Sequence, residues 1–119
     1  MSENVLKNKS YAFAIRIVKL SQYLQVERKE FVLSKQILRS GTAIGALIRE
    51  AEYGQSKTDF IHKLTISLKE ANETEYWINI LTDTHYIDQK LFESMLTDCK
   101  ELLKLLIASI KTAKKINGQ

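Results

Sequence analysis

The sequence predicts an all-α fold, an up-and-down antiparallel four-helix bundle, and three observations carry that prediction. The 119 residues contain no proline, the residue that breaks helix interiors. Only four glycines occur, too few for the turns of a β fold. Apolar residues recur at three- and four-residue steps, the spacing that lays them along one face of a helix. Apolar residues at 45% and charged residues at 27% fit a globular chain and not a disordered one. The length fits one domain over residues 1–119, able to bury about two thirds of its unfolded surface.

The first helix is expected over about 8–25, with Phe13, Ile17, Leu20 and Leu24 facing the core. Tyr11, Ala12, Ala14, Ile15 and Val18 make the rest of it apolar too, which is more than one buried stripe requires and predicts a second contact surface. Residues 26–33 are charged and hold the longest connection. Ser34 is the expected N-cap of a second helix over 34–53, which Gly54 stops. Its inward seam reads Ile37, Gly41, Ile44, Ile48 and Ala51, with Gly41 and Gly45 four apart on one side. Each mid-helix glycine costs about 1 kcal/mol against alanine, so the pair predicts close approach by another helix backbone. Arg39, Arg49 and Glu50 flank the pair and exclude the membrane version of this spacing.

Ser56 followed by Asp59 makes a capping box with Asp in the Glu/Gln place, opening a third helix over 57–84. Phe60, Leu64, Leu68, Ala71 and Ile78 define its seam. The connection Gly54-Gln55-Ser56 makes helices two and three antiparallel neighbours, so residues whose numbers add to about 110 lie level. Glu75 falls on the seam by this reading, and residues 70–75 reach the height of Arg39, which predicts an ion pair between Arg39 and Glu75. Asp88 is the expected N-cap of the fourth helix, over 88–116, with Asn117 and Gly118 as its stop. Leu91, Met95, Cys99, Leu102, Leu106 and Ile110 supply its core stripe. Leu96, Leu103, Leu105 and Ile107 widen it, matching the surplus on helix one. Such wide faces on the first and last helices predict burial between subunits.

The longest apolar runs fall far short of the roughly 20 residues of a membrane span, and the N-terminus lacks a signal-peptide core, so a cytoplasmic protein with no membrane association is expected. Cys99, the single cysteine, has no internal partner and sits among leucines, as a buried thiol in a reducing compartment does. The net charge of +4 is uneven: residues 1–39 carry +5, residues 40–89 carry −4 and residues 90–119 carry +3. This asymmetry reads either as attraction to phosphates or an acidic partner, or as charged faces of neighbouring helices complementing one another.

The motifs of catalysis are missing. Glu70-x-x-Glu73 and Asp98-x-x-Glu101 have the spacing of helical magnesium sites, but Glu70 and Glu73 fall off the seam and point outward. Di-iron bundles need two Glu-x-x-His repeats, whereas only Asp59-x-x-His62 occurs, and His85 has no such partner. Neither histidine follows an arginine at the spacing of helical ribonucleases, and no phosphate-cradling glycine loop, nucleophile elbow or Cys/His metal spacing is found. The expectation is a non-enzymatic protein with no cofactor and no catalytic or metal residues. Lys7, Lys9 and Arg16 around Tyr11, and Arg28 and Lys29 beside Phe31, are the candidate nucleic-acid contacts. Lys111, Lys114 and Lys115 sit where the helix dipole favours cations whatever the function.

The run from Gln36 through Arg39-Ser40-Gly41 and Gly45 to Ala51, followed by Ser56 through Glu70, Glu73, Glu75 and Trp77, closely resembles the bacterial four helix bundle protein family, whose members include proteins encoded in intervening sequences of 23S ribosomal RNA genes. The resemblance implies an up-and-down bundle assembling as a homopentamer around a central channel. A relative, the accessory variability protein of diversity-generating retroelements, is basic and binds nucleic acid and a reverse transcriptase. By the family pattern Arg39, Ser40, Gly41, Glu70, Glu73, Glu75 and Trp77, with Gly45, are structural signature positions. Ala43 stands where the family often has serine and Leu47 where asparagine is usual, so any function of that asparagine is absent. The expected function is thus an oligomeric helical module, a pentamer, contacting RNA or DNA through basic surfaces. The competing expectation is a protein-protein adaptor that binds a partner through helix one or four and no nucleic acid.

Overall fold

Four helices follow one another along the chain: α1 Ser2–Val26, α2 Leu33–Glu52, α3 Lys57–Asp83 and α4 Gln89–Ile116. This is a computed structural model; it describes residues 2–116 and Gly118, with side chains from Val5 onward. Asn117, half of the expected stop of the last helix, lies outside the described residues. α1 packs on α2, α2 on α3 and α3 on α4, while α1 and α4 close the ring with the least extensive contact of the four. Short turns make each neighbour antiparallel, which gives the up-and-down bundle predicted from the sequence, a rod of 48 × 22 × 20 Å. No strand occurs among the described residues, and none of their helices is long and apolar enough to cross a membrane.

The core follows most of the stripes read from the sequence, except that Phe60 and Leu68 of α3 and Leu91 of α4 are only partly buried and Ile61 and Leu81 of α3 take core positions. Phe13, Ile17, Leu20 and Leu24 of α1 meet Ile37, Ile44 and Ile48 of α2, Leu64, Ala71 and Ile78 of α3, and Met95, Cys99, Leu102 and Leu106 of α4, all buried. Each large aliphatic side chain among them contributes about 1.5–3 kcal/mol. α1 begins six residues earlier than expected because Leu6, seven residues before Phe13, adds another buried contact to the stripe. Serine and threonine occupy seam positions that the apolar pattern does not mark: Ser40, Ser67 and Thr74 are fully buried. Their hydroxyls stay satisfied across the α2–α3 contact, Ser67 Oγ donating to Ile44 O at 2.9 Å and Thr74 Oγ1 to Ser40 Oγ at 2.9 Å.

Two of the three expected N-caps are present: Ser56 Oγ accepts from the Asp59 N–H at 3.1 Å, and Asp88 Oδ1 from the Leu91 N–H at 2.8 Å. The third is corrected. Val32 stands at the N-cap of α2 with no side-chain cap bond, and Ser34 lies inside the first turn. The capping group is Glu30, whose carboxylate accepts from the N–H of Val32 at 3.1 Å, Leu33 at 2.9 Å and Ser34 at 2.7 Å. Lys29 in the left-handed region (φ 54°) turns the chain so that this carboxylate lies under α2. A carboxylate offers two oxygens and a negative charge to the positive end of the helix dipole, where a hydroxyl offers one neutral acceptor. Ser34 instead donates its hydroxyl to Glu30 O at 2.9 Å, and its carbonyl accepts from Ser21 Oγ at 3.2 Å, tying α2 to α1.

Candidate functional site

The signature residues on α2 and α3 form one cluster on the hairpin flank. Arg39 Nη1 donates to both oxygens of Glu70, at 3.1 and 3.3 Å, and Nη2 donates to Glu73 Oε2. The Trp77 indole N–H reaches the same Glu73 oxygen at 2.9 Å. Glu70, Glu73 and Trp77 follow at steps of three and four, so one side of α3 presents all of them to Arg39 at the height the hairpin register predicts. The hydrogen bond from Arg39, joined by that from Trp77, holds the Glu73 carboxyl below its ordinary range, and Glu73 in turn raises Arg39. The Arg39 side chain is half exposed, so these pairs set register more than stability, at roughly 0.2–1 kcal/mol each.

The expected partner was Glu75, and that expectation is corrected. Glu75 lies two residues from Glu73, about 200° around a helix, and so faces α4, where it meets Lys100 Nζ at 2.9 Å. Thr74, and not Glu75, takes the buried seam position.

The glycine pair meets α1, as its spacing predicts. A Cβ at Gly41 would sit 2.7 Å from Ile17 Cγ1, and one at Gly45 would sit 3.2 Å from Ser10 Oγ and 3.3 Å from Ser10 O. Gly41 is therefore a packing requirement, and Gly45 brings the two backbones together.

The five basic residues singled out from the sequence do not form one patch. Lys7 pairs with Glu52 of α2 at 3.2 Å, whereas Lys9 and Arg16 pair with Glu101 and Asp98 of α4 at 3.3 and 2.7 Å. Arg16 also bonds Ser94 Oγ at 2.9 Å. Arg28, at the other end of the rod, donates to the carbonyls of His85 and Tyr86 at 3.1 and 2.7 Å and lies over the Tyr86 ring. Of the five, only Lys29 has neither a hydrogen bond nor an ion pair among the described residues. Complementary charge on neighbouring helices thus accounts for much of the asymmetry along the chain.

Potential catalytic groups are dispersed. Cys99 is buried, its Sγ 3.4 Å from Ala71 O, and burial, with the Glu75 charge adding, pushes the thiol up to about 12. His62 and His85 are exposed on separate elements. Among the described residues no three His, Cys, Asp or Glu side chains converge as metal ligands do.

Part of the exposed surface is apolar. Tyr11 (60% exposed), Ile15 (42%) and Val18 (39%) follow at steps of four and three and form a stripe on α1 facing away from the core. Beside it runs a groove of about 1090 Å³, with Ala14, Thr42, Gly45 and Ala46 along it and Tyr53 at its end. The matching surplus expected on α4 is largely used inside the chain: Leu103 and Leu105 pack against the core, Leu96 is half-buried, and Ile107 alone of the four stays exposed.

A family model described as 23S rRNA-intervening sequence protein matches residues 2–108. The chain is also similar to the crystal structure of a protein of unknown function from the S23 ribosomal protein family of Bacteroides thetaiotaomicron. The two share 60% identity and superpose with a TM-score of 0.92 over 93% of this chain and 99% of that one. No curated protein matches the chain.

Proposed function

Since the chain belongs to the 23S rRNA-intervening sequence protein family, we propose that it acts as a non-catalytic, self-assembling helical module in the cytoplasm, a homopentamer that contacts nucleic acid through basic surface. The observation that carries this reading is the exposed stripe Tyr11, Ile15 and Val18 beside the α1–α2 groove. One folded copy leaves that apolar surface in water, at a cost of about 25 cal/mol per Å², and a second copy would remove it. Assembly also multiplies charge: five copies at +4 make a field of about +20, strong enough to attract polyanions. The non-catalytic part rests on the burial of Cys99, the single thiol, and on Arg39 holding Glu70 and Glu73.

Light-scattering mass tests the reading. The wild-type chain should run at five times 13.7 kDa, and Ile15→Glu with Val18→Glu should reduce it to one chain with its helical circular dichroism intact. A wild-type monomer at micromolar concentration overturns assembly. It would hand the same α1 face to a different protein, the adaptor reading, in which salt-sensitive RNA or DNA binding is absent.

A further inference from the structure

Ion pairing across the helix contacts decides where positive charge is left over. Lys9 and Arg16 of α1 are matched by Glu101 and Asp98, and Lys100 by Glu75. These pairs involve both acidic residues in the middle of α4, and from Leu102 to Ile116 that helix has no acidic residue at all. In that stretch it carries Lys104, Lys111, Lys114 and Lys115, all exposed and none paired with a carboxylate among the described side chains.

The four lysines share a face. Lys104, Lys111 and Lys115 stand 4, 11 and 15 residues after Lys100, about one, three and four turns of helix, and Lys114 lies one position to the side. Lys57 of α3 joins them: it is five turns before Glu75, whose carboxylate faces α4, and the antiparallel pairing of Ala71 with Cys99 puts it level with the last turns of α4. Lys104 to Lys115 spans roughly 16 Å, the axial length of about five phosphates along one strand of a duplex.

The whole end of the rod is biased the same way. Cut at the level where Ser67 meets Ile44, the half containing residues 2–14, 44–66 and 104–118 has nine basic and four acidic residues, whereas the other half has nine and ten. The helix dipole accounts for Lys114 and Lys115 in the last turn but not for Lys104, three turns earlier, or for Lys57 at the start of α3.

We propose that the α4 row Lys104, Lys111, Lys114 and Lys115, joined by Lys57, is the surface that contacts the phosphate backbone of nucleic acid. This assignment rests on the nucleic-acid part of the proposed function and moves the contact from the paired cations of α1 to the unpaired lysines of α4. A nucleic-acid backbone fits better than a lipid surface because the row offers only Ile107 and Ile116 as exposed apolar neighbours, too little to insert. Contact through phosphates makes the binding indifferent to base sequence and steeply dependent on salt.

The test is fluorescence anisotropy of labelled single-stranded RNA and duplex DNA of unrelated sequence, titrated with the full chain at several salt concentrations. The triple variant Lys104→Gln, Lys111→Gln, Lys115→Gln should weaken binding at least about tenfold at low salt and flatten the plot of log affinity against log salt by about 2 to 3. Lys9→Gln with Arg16→Gln should leave that slope unchanged. If the α4 variant binds like wild type while the α1 variant does not, the assignment fails and the nucleic-acid reading stands. If wild type binds neither RNA nor DNA, whether or not it binds phosphatidylserine vesicles, both fail. Circular dichroism and light-scattering mass establish that each variant is folded and assembled, and Lys111→Gln with Lys115→Gln serves in the same assay if the triple variant is not.

Discussion

Ile17 of α1 fills the space that any side chain on Gly41 of α2 would need. Three Ile17 atoms lie 2.7 to 2.9 Å from where a Cβ at position 41 would be, and Ile17 is fully buried, so neither residue can move away cheaply. At Gly45 the nearest atoms are 3.2 and 3.3 Å off, a contact that a few tenths of an ångström would relieve.

Gly41→Ala should therefore destabilise the bundle by up to about 2 kcal/mol, the overpacking of about 1–3 kcal/mol less the roughly 1 kcal/mol of helix propensity gained. Gly45→Ala should lie close to neutral. In urea denaturation, the loss from Gly41→Ala should shrink in an Ile17→Ala background, since the colliding atoms are gone. Full additivity of the two changes would refute the account.

Trp77, the only tryptophan, reports on Glu73 through the hydrogen bond they share. The folded pKa of Glu73 is lowered, chiefly by Arg39, so the stability it contributes is complete above the unfolded carboxylate value and disappears as pH falls through the lowered one. Trp77 emission should stay flat from about pH 8 to pH 5 and change only below the ordinary glutamate range. Glu73→Gln should abolish that transition; an unaltered titration would mean that another group is being read.

Double-mutant cycles separate the two ion-pair sets. Arg39→Leu and Glu75→Leu should be additive, because Arg39 meets Glu70 and Glu73 while Glu75 meets Lys100. Arg39 with Glu73, and Glu75 with Lys100, should each couple by roughly 0.2–1 kcal/mol. Coupling between Arg39 and Glu75 would restore the arrangement first expected from the sequence.

Glu30→Ala should cost about 1–3 kcal/mol, since it strips the cap from three N–H groups at the start of α2. Ser34→Ala, which removes one hydroxyl bond, should cost less. Equilibrium unfolding in urea ranks the two, and the reverse order would return the cap to Ser34.

Cys99 should be inert in the folded chain. With its thiol pushed up to about 12, mainly by burial, only about one molecule in 10⁴ is thiolate at pH 8, so reaction with a disulfide reagent should be at least a thousandfold slower than for a free thiol. Unfolding in urea should bring the reaction to the ordinary rate. Fast labelling of the native protein would mean that α4 opens readily.

The positions of α2, α3 and α4, the seam of α2, the Ser56 and Asp88 caps and the approach of a helix to Gly41 and Gly45 were all legible along the chain. They depend on residues within a few turns, on helical periodicity, or on one short connection that sets the level of α3 against α2. Glu30 was not legible as the α2 cap, because its role requires the left-handed turn at Lys29 that swings the carboxylate under the helix. Nor were the buried Ser40, Ser67 and Thr74, since a hydroxyl is tolerated on a seam only when the neighbouring helix brings an acceptor to it.

By itself, the sequence determined the class of fold, the order of the helices and the level along α3 at which Arg39 finds carboxylates, because each follows from spacing along one helix or across one hairpin. The tertiary structure alone decided that Glu75 belongs to Lys100, that Lys9 and Arg16 of α1 are matched by α4, and that an unmatched row of lysines is left at one end. An ion pair is a contact between surfaces, and which charges remain unpaired is known only after every helix has its neighbours.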